Sequence, residues 1–390
     1  MAKQQKKKTS SKAKPTPKPY APAAHLIQDT KTATTERYSD VFTVHTIGQV
    51  SAITTTDDQS FTVVSNGTAN LRIEVWNDRT VRFRTTVGPA GRDFSYARAE
   101  DAKPTFAKTA LKEGRSVYTI TTDLLKIEIA KATGKVTVSD KKSKAKLHEY
   151  ATEFSARTTL LNGLEQVRIQ LKTDKDEAIY GMGDKGWDTN LQGTYWANYN
   201  EDAFAFSKDR KTNYRSIPFY YGLRDGKAYG LFLDNTYRSH FDFNSTGDNL
   251  TTVWADGGEM DYYFFFGPDL STVAAEYHNL TGKPELPPLW AMGFHQCRWS
   301  YYPESRVREL AATFRAKKIP CDAIYLDIDY MDGYRCFTWN KEHFPDPKGM
   351  IADLKEDGFH TVVMIDPGIR VDPDYHVYAD GSEKGVWCKR

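Results

Sequence analysis

The chain has 390 residues, 39% hydrophobic and 27% charged, an ordinary composition for a globular protein and enough length for two domains. Its formal charge of +2 is set at the start, where Lys3, Lys6, Lys7, Lys8, Lys12, Lys14 and Lys18 precede the first acid, Asp29; without those seven the balance is −5. A mildly acidic body offers nucleic acid no footprint. No stretch approaches the ~18 apolar residues of a membrane span, and no apolar run follows the basic start, so we expect neither membrane nor secretion but a cytoplasmic protein.

Residues 1–34, with Pro15, Pro17, Pro19 and Pro22 among the lysines, read as a disordered basic tail. From about residue 40 to 266 the pattern is strand after strand. Leu71, Ile73 and Val75 alternate with polar neighbours, and Val81 and Phe83 follow the turn residues Asn77 and Asp78. Leu125, Ile127 and Ile129 pair with Val136 and Val138 through Thr133-Gly134, and Asn66-Gly67 reads as a hairpin turn rather than a glycan acceptor. Further runs fall at 165–171, 217–223, 228–233 and 259–266. Short strands at this density predict a β-sandwich domain over 35–285. The stretch 178–206, including Gly181-Met-Gly-Asp-Lys185 and Trp196-Ala-Asn-Tyr-Asn-Glu-Asp-Ala-Phe204, lacks clean alternation and reads as functional loops.

A helix is expected over Asp269 to Leu280, ended by Gly282, and Pro284, Pro287 and Pro288 form a stiff linker. Beyond it the grammar changes. Trp290–Phe294 reads as a buried strand, Glu304–Ala316 as an amphipathic helix, Ala323–Asp327 as a second strand, Met350–Asp357 as a second helix and Thr361–Ile365 as a third strand. Alternation of helices with continuously apolar strands means a parallel sheet, either doubly wound or a (β/α)8 barrel.

Acids gather at the strand ends. Asp327 and Asp329 close the second strand, Asp366 closes the third, and His295 and Arg298 sit just beyond the first. In a parallel barrel these ends share one face, where active sites are built, and carboxylates accept charge-assisted hydrogen bonds from sugar hydroxyls. Each residue also has a structural reading: a capping aspartate, a satisfied core histidine, an arginine paired with an acid. Asp327 and Asp329, two apart on a strand, point to opposite faces and do not share a metal ion. Cys297, Cys321, Cys336 and Cys388 show neither CxxC pairing nor histidines at zinc spacing and read as buried reduced thiols. No phosphate loop, HExxH pair or GxSxG elbow occurs, so no cofactor or metal is expected.

Trp290-Ala-Met-Gly-Phe-His-Gln-Cys-Arg-Trp-Ser-Tyr301, Leu326-Asp-Ile-Asp-Tyr-Met-Asp332 and Ile365-Asp-Pro-Gly-Ile369, in that order, resemble glycoside hydrolase family 31, the α-glucosidases. The resemblance implies a galactose-mutarotase-like β-sandwich followed by a (β/α)8 TIM barrel, here residues 286–390 and incomplete. It further implies a terminal-sugar subsite from Asp327, Ile328, Met364 and Asp366, with Asp202 of Tyr199-Asn-Glu-Asp202 reaching in from the sandwich despite two departures from the family's Trp-Asn-Thr-Asp loop. His295, Arg298, Trp299 and Asp329 are implied as supporting residues. The family's nucleophile stretch, aromatic-x-Asp-Met-Asn-Glu, does not occur in the sequence, so both catalytic carboxylates are expected downstream of Arg390. The implied activity is retaining hydrolysis of terminal α-linked glucose from oligosaccharides. An α-xylosidase, an α-transglucosylase and a non-catalytic carbohydrate-binding module remain alternatives, and the oligomeric state is open.

Overall fold

The computed structural model describes residues 42–159, 163–202 and 207–388. The basic tail expected over 1–34 and the last part of the 178–206 stretch, from Ala203 to Phe206, lie outside the described residues. The chain divides between Lys283 and Pro284 into two compact units, at the prolines that stiffen the connection.

The first unit is built from three antiparallel sheets of six, five and eight strands. One hydrophobic core joins all three: Val167, Ile169 and Phe241 from the six-stranded sheet, Ile120, Ile127 and Val138 from the five-stranded, and Leu71, Ile73, Phe83 and Phe264 from the eight-stranded. Alternation explains the arrangement. In Ala69–Val75 every second side chain is buried, and in Leu125–Ala130 the same pattern recurs with Leu125, Ile127 and Ile129 inside. The six- and five-stranded sheets meet through an isolated bridge between Tyr150 and Leu171. The strand Met260–Gly267 is buried along its whole length because both its faces are covered. Tyr262, Phe264 and Phe266 join the sandwich core, while Tyr263 and Phe265 lie under the helix Leu270–Thr281 with its Val273 and Leu280. That helix begins where Asp269 accepts a hydrogen bond from the Thr272 amide (2.8 Å) and ends at Gly282, φ 84°.

One reading of this unit needs correction, and the expected Asn66-Gly67 hairpin turn is found. Parts of 178–206 are strands, not loops: Ala178–Gly183 pairs with Ser216–Arg224, and Thr194–Asn198 pairs with Ser239–Phe243. The first hides its alternation because the register shifts between Gly181 and Gly183, where Met182 takes φ 69°. The Asn66-Gly67 turn is a three-residue connection between Ser60–Ser65 and Ala69–Val75. Its Asn66 side chain also accepts from the Gln49 amide (2.8 Å), which ties in the neighbouring segment.

Several charged groups inside the sandwich are paired. Arg82, 2% exposed, donates from Nε and Nη2 to the two oxygens of Asp261 (2.9 and 2.6 Å) and also reaches Glu74 and Asp93. Arg224 and the Tyr229 hydroxyl both donate to Glu177, Arg224 at 2.6 Å. His148 lies fully inside, its Nε2 bonded to the Tyr262 hydroxyl (2.9 Å) and its ring stacked on Phe83. Burial, with the nearby Arg224 charge, lowers its pKa to about 3. Below about pH 6.5 the unfolded chain therefore takes up a proton that the folded one refuses, so this group's stabilisation is complete above that pH and is lost as pH falls toward 3. We expect the urea midpoint of the first unit to fall between pH 6.5 and 5. In a His148→Phe variant the slope of unfolding free energy against pH should drop, by up to about 1.4 kcal/mol per pH unit, one proton's worth, toward pH 5. An unchanged slope would mean that His148 titrates normally.

The second unit holds three parallel strands, His295–Gln296, Ala323–Leu326 and His360–Val363, in that order. Helices Glu304–Ala316 and Pro347–Glu356 cover the sheet, burying Val307, Ala311, Met350 and Leu354 against Ile324, Leu326 and Phe359. The second helix starts earlier than its apolar pattern suggests, because Asp346 caps it through the Gly349 amide (3.0 Å) and Pro347 occupies its first turn. A short helix, His376–Glu383, follows.

The expected strand Trp290–Phe294 is instead a 3₁₀ turn, Leu289–Met292. Its apolar run misled: Leu289 and Met292 are exposed, and the Trp290 ring stacks flat on His360 (4.0 Å). Gly293 passes so close to the Asp322 carboxylate that a side chain there would collide with it (1.9 Å). The strand itself begins at His295, after the Asp322 amide donates to the Phe294 carbonyl (2.8 Å).

Candidate functional site

Register sets the site. His295 pairs with Ala323 and Ala323 with His360, and the Met364 amide extends the ladder by donating to the Leu326 carbonyl (2.9 Å). The chain leaves all three strands at the same end, delivering Cys297, Arg298 and Trp299 from the first, Asp327, Ile328 and Asp329 from the second, and Met364 and Asp366 from the third.

Asp327 follows its strand directly. Its Oδ1 accepts from the Ile328 amide (2.7 Å), opening a 3₁₀ turn over Ile328–Tyr330, and among the described residues its second oxygen has no partner. Asp329 is on that turn, not on the strand, so the opposite-faces argument does not apply to it. Its Oδ2 accepts from the Trp299 indole (2.9 Å) and its Oδ1 from the Tyr334 hydroxyl (3.2 Å). Tyr330, buried, donates to the Met364 carbonyl (3.0 Å) and so ties the turn to the third strand. Asp366 lies three residues past its strand at φ 44° and is exposed, as is Met364.

His295 is inside the first strand rather than beyond it. Its nitrogens engage the Tyr325 hydroxyl (3.2 Å) and the Trp290 carbonyl (3.0 Å), and its ring stacks on Trp290: it is a satisfied histidine that braces the strand. Arg298 is exposed and has no ion-pair partner among the described residues. Cys321 and Cys336 are buried, but Cys297 and Cys388 are exposed free thiols, contrary to the expectation for all four. Cys297 is exposed because it is the first residue past its strand; partial burial and the Asp327 charge push its thiol pKa up. Asp202 belongs to the first unit, exposed in the segment after Thr194–Asn198.

Two participants escaped sequence reading. Tyr334 follows Asp332-Gly333, a turn signal, and both Gly333 (φ 53°) and Tyr334 (φ 59°) take left-handed conformations. Tyr330 was visible only as part of a motif. Among the described residues no cluster of histidine, cysteine and carboxylate side chains could hold a metal ion, and no helix is long and apolar enough to cross a membrane. A cleft of about 830 Å³ in the first unit is lined by Arg82, Glu74, Asp93, Arg98 and Trp76. Arg82 pairs with Glu74 and Asp93, and Arg98 with Asp93, so these charges already neutralise one another, which makes the cleft a poor rival to the strand ends.

An antiparallel sandwich is followed by parallel strands that present carboxylates and aromatic rings at their carboxyl ends. Residues 70–242 match the glycosyl hydrolase 31 N-terminal galactose mutarotase-like domain, and residues 284–390 match the glycosyl hydrolases family 31 TIM-barrel domain. The chain belongs to glycoside hydrolase family 31, as a mutarotase-like sandwich followed by part of a TIM barrel. It is 43% identical over 217 residues to alpha-glucosidase 2 of Bacillus thermoamyloliquefaciens, covering 55% of this chain and 27% of that protein. It is 33% identical over 231 residues to an alpha-glucosidase of Saccharolobus solfataricus, covering 59% of this chain and 33% of that one. Among solved structures, a Flavobacterium johnsoniae GH31 dextranase, seen with glucose and with isomaltotriose, superposes with a TM-score of 0.77 at 31% identity, over 87% of this chain and 41% of the dextranase. The chain thus spans between a quarter and a third of the length of these curated relatives.

Proposed function

We propose that the protein carrying this chain removes terminal α-linked glucose from oligosaccharides with retention of configuration, and that Asp327, Ile328, Met364 and Asp366 receive the terminal sugar. The observation that carries this reading is Asp327: its turn fixes the side chain while one carboxylate oxygen has no partner among the described residues. A fixed acceptor at a strand end suits a sugar hydroxyl, since no rotamer freedom is lost on binding. The α-glucosidase relatives and the glucose-bound dextranase support the sugar and its linkage. Four free thiols suit a reducing compartment and support a cytoplasmic site of action.

The test uses a polypeptide extended to the length of the relatives, given maltose, isomaltose and 4-nitrophenyl α-glucoside and α-xyloside. Proton NMR should show α-glucose as the first product, with the xyloside cleaved much more slowly. β-Glucose as the first product would refute retention; preferential xyloside cleavage, or transfer without free glucose, would reassign the activity.

A further inference from the structure

We propose that Asp329 is a positioning residue whose carboxylate holds Trp299 and Tyr334 together as one aromatic wall beside Asp327, a wall that sets preference for the sugar unit beyond the terminal one. The proposal rests on the α-glucoside reading above. Each oxygen of Asp329 is already used, Oδ2 by the Trp299 indole (2.9 Å) and Oδ1 by the Tyr334 hydroxyl (3.2 Å). The two rings come from different segments, one just after the first strand, the other after the Ile328–Tyr330 turn. In this chain they are 72% and 56% exposed, and the Asp329 carboxylate is the hydrogen-bond partner they share.

The backbone under Asp329 is fixed on both sides. Asp327 caps its turn, and the neighbouring Tyr330 is anchored to the Met364 carbonyl. The hydrogen bond to Asp329, with its charge, raises the Tyr334 pKa, which keeps that hydroxyl a donor. Two acids two residues apart therefore divide the work. Asp327 keeps an oxygen for a hydroxyl, while Asp329 spends both on rings whose flat faces suit the apolar C–H face of a sugar.

Two measurements test this. In the polypeptide extended to the relatives' length and labelled with ¹⁵N-tryptophan, Asp329→Asn should shift the Trp299 indole N–H signal, identified by its loss in Trp299→Phe, because an amide offers only one acceptor oxygen. In the polypeptide extended to the relatives' length, Asp329→Asn should raise KM for maltose and isomaltose about three- to tenfold with kcat changed less than about twofold. Inhibition by free glucose should stay within about twofold. In a Trp299→Phe/Tyr334→Phe background the same change should have no further effect. A full effect in that background, or equal weakening of glucose, would show that Asp329 touches the sugar and would overturn the proposal. So would an unmoved Trp299 signal. If the unaltered long form cleaves no α-glucoside, the function reading fails and takes the wall's role with it, while the Trp299 signal still decides whether the clamp exists.

Discussion

The 390-residue chain alone should release no 4-nitrophenol from 4-nitrophenyl α-glucoside, while a polypeptide extended to the length of its α-glucosidase relatives should do so readily. Retaining hydrolysis needs a nucleophile and an acid/base about 5 to 5.5 Å apart around one bond. The acids at these strand ends have other roles in our proposal, sugar binding for Asp327 and Asp366 and ring positioning for Asp329. Asp329 gives both oxygens to Trp299 and Tyr334, Asp327 caps a turn, and Asp366 stands exposed three residues beyond its strand. The aromatic-x-Asp-Met-Asn-Glu stretch that would supply a nucleophile does not occur in the chain. A closed barrel has eight strands, against three among the described residues. Val363, Met364 and Ile365 are 38, 39 and 43% exposed along the third strand and its continuation, a parallel edge that invites association. We therefore also expect the chain to be poorly soluble. Turnover by the chain at a rate comparable to the extended form would place the catalytic pair within these residues and refute this reading.

In the extended form, Asp327→Asn should lower kcat/KM about tenfold or more without unfolding the protein. A charge-assisted hydrogen bond to a sugar hydroxyl contributes about 1.5 to 3 kcal/mol, and 1.4 kcal/mol is a factor of ten. The fold should survive because the asparagine carbonyl can still accept from the Ile328 amide, the one hydrogen bond of the Asp327 carboxylate among the described residues. Circular dichroism melting should accordingly shift little while activity falls. Unchanged kinetics would show that Asp327 does no more than cap its turn.

Much of the architecture was legible in the sequence because burial writes its period into the chain. Leu71, Ile73 and Val75 face one core, as do Leu125, Ile127 and Ile129, and alternation alone identifies both strands. Glu304–Ala316 was readable to the residue, since Val307, Ala311 and the half-buried Leu310 and Phe314 mark one face of a helix. Where period and burial part company, the reading failed. Trp290–Phe294 is apolar yet largely exposed, and the shifted register at Gly181–Gly183 breaks the alternation of a genuine strand.

The site divides the same way. By itself the sequence determined that acids follow the second and third parallel strands, because strand ends are set by local pattern and the acids stand next to them. Only the tertiary structure decided what each acid does. Asp327 and Asp329 are two residues apart and chemically identical in sequence. Their roles separate because the chain turns into a 3₁₀ helix between them, which brings Asp329 to rings 30 residues earlier and five later, at Trp299 and Tyr334. His295, next to the strand end in sequence, is braced by Trp290 and Tyr325 for the same reason. A side chain's partners are fixed by contacts distant along the chain, and no local pattern records them.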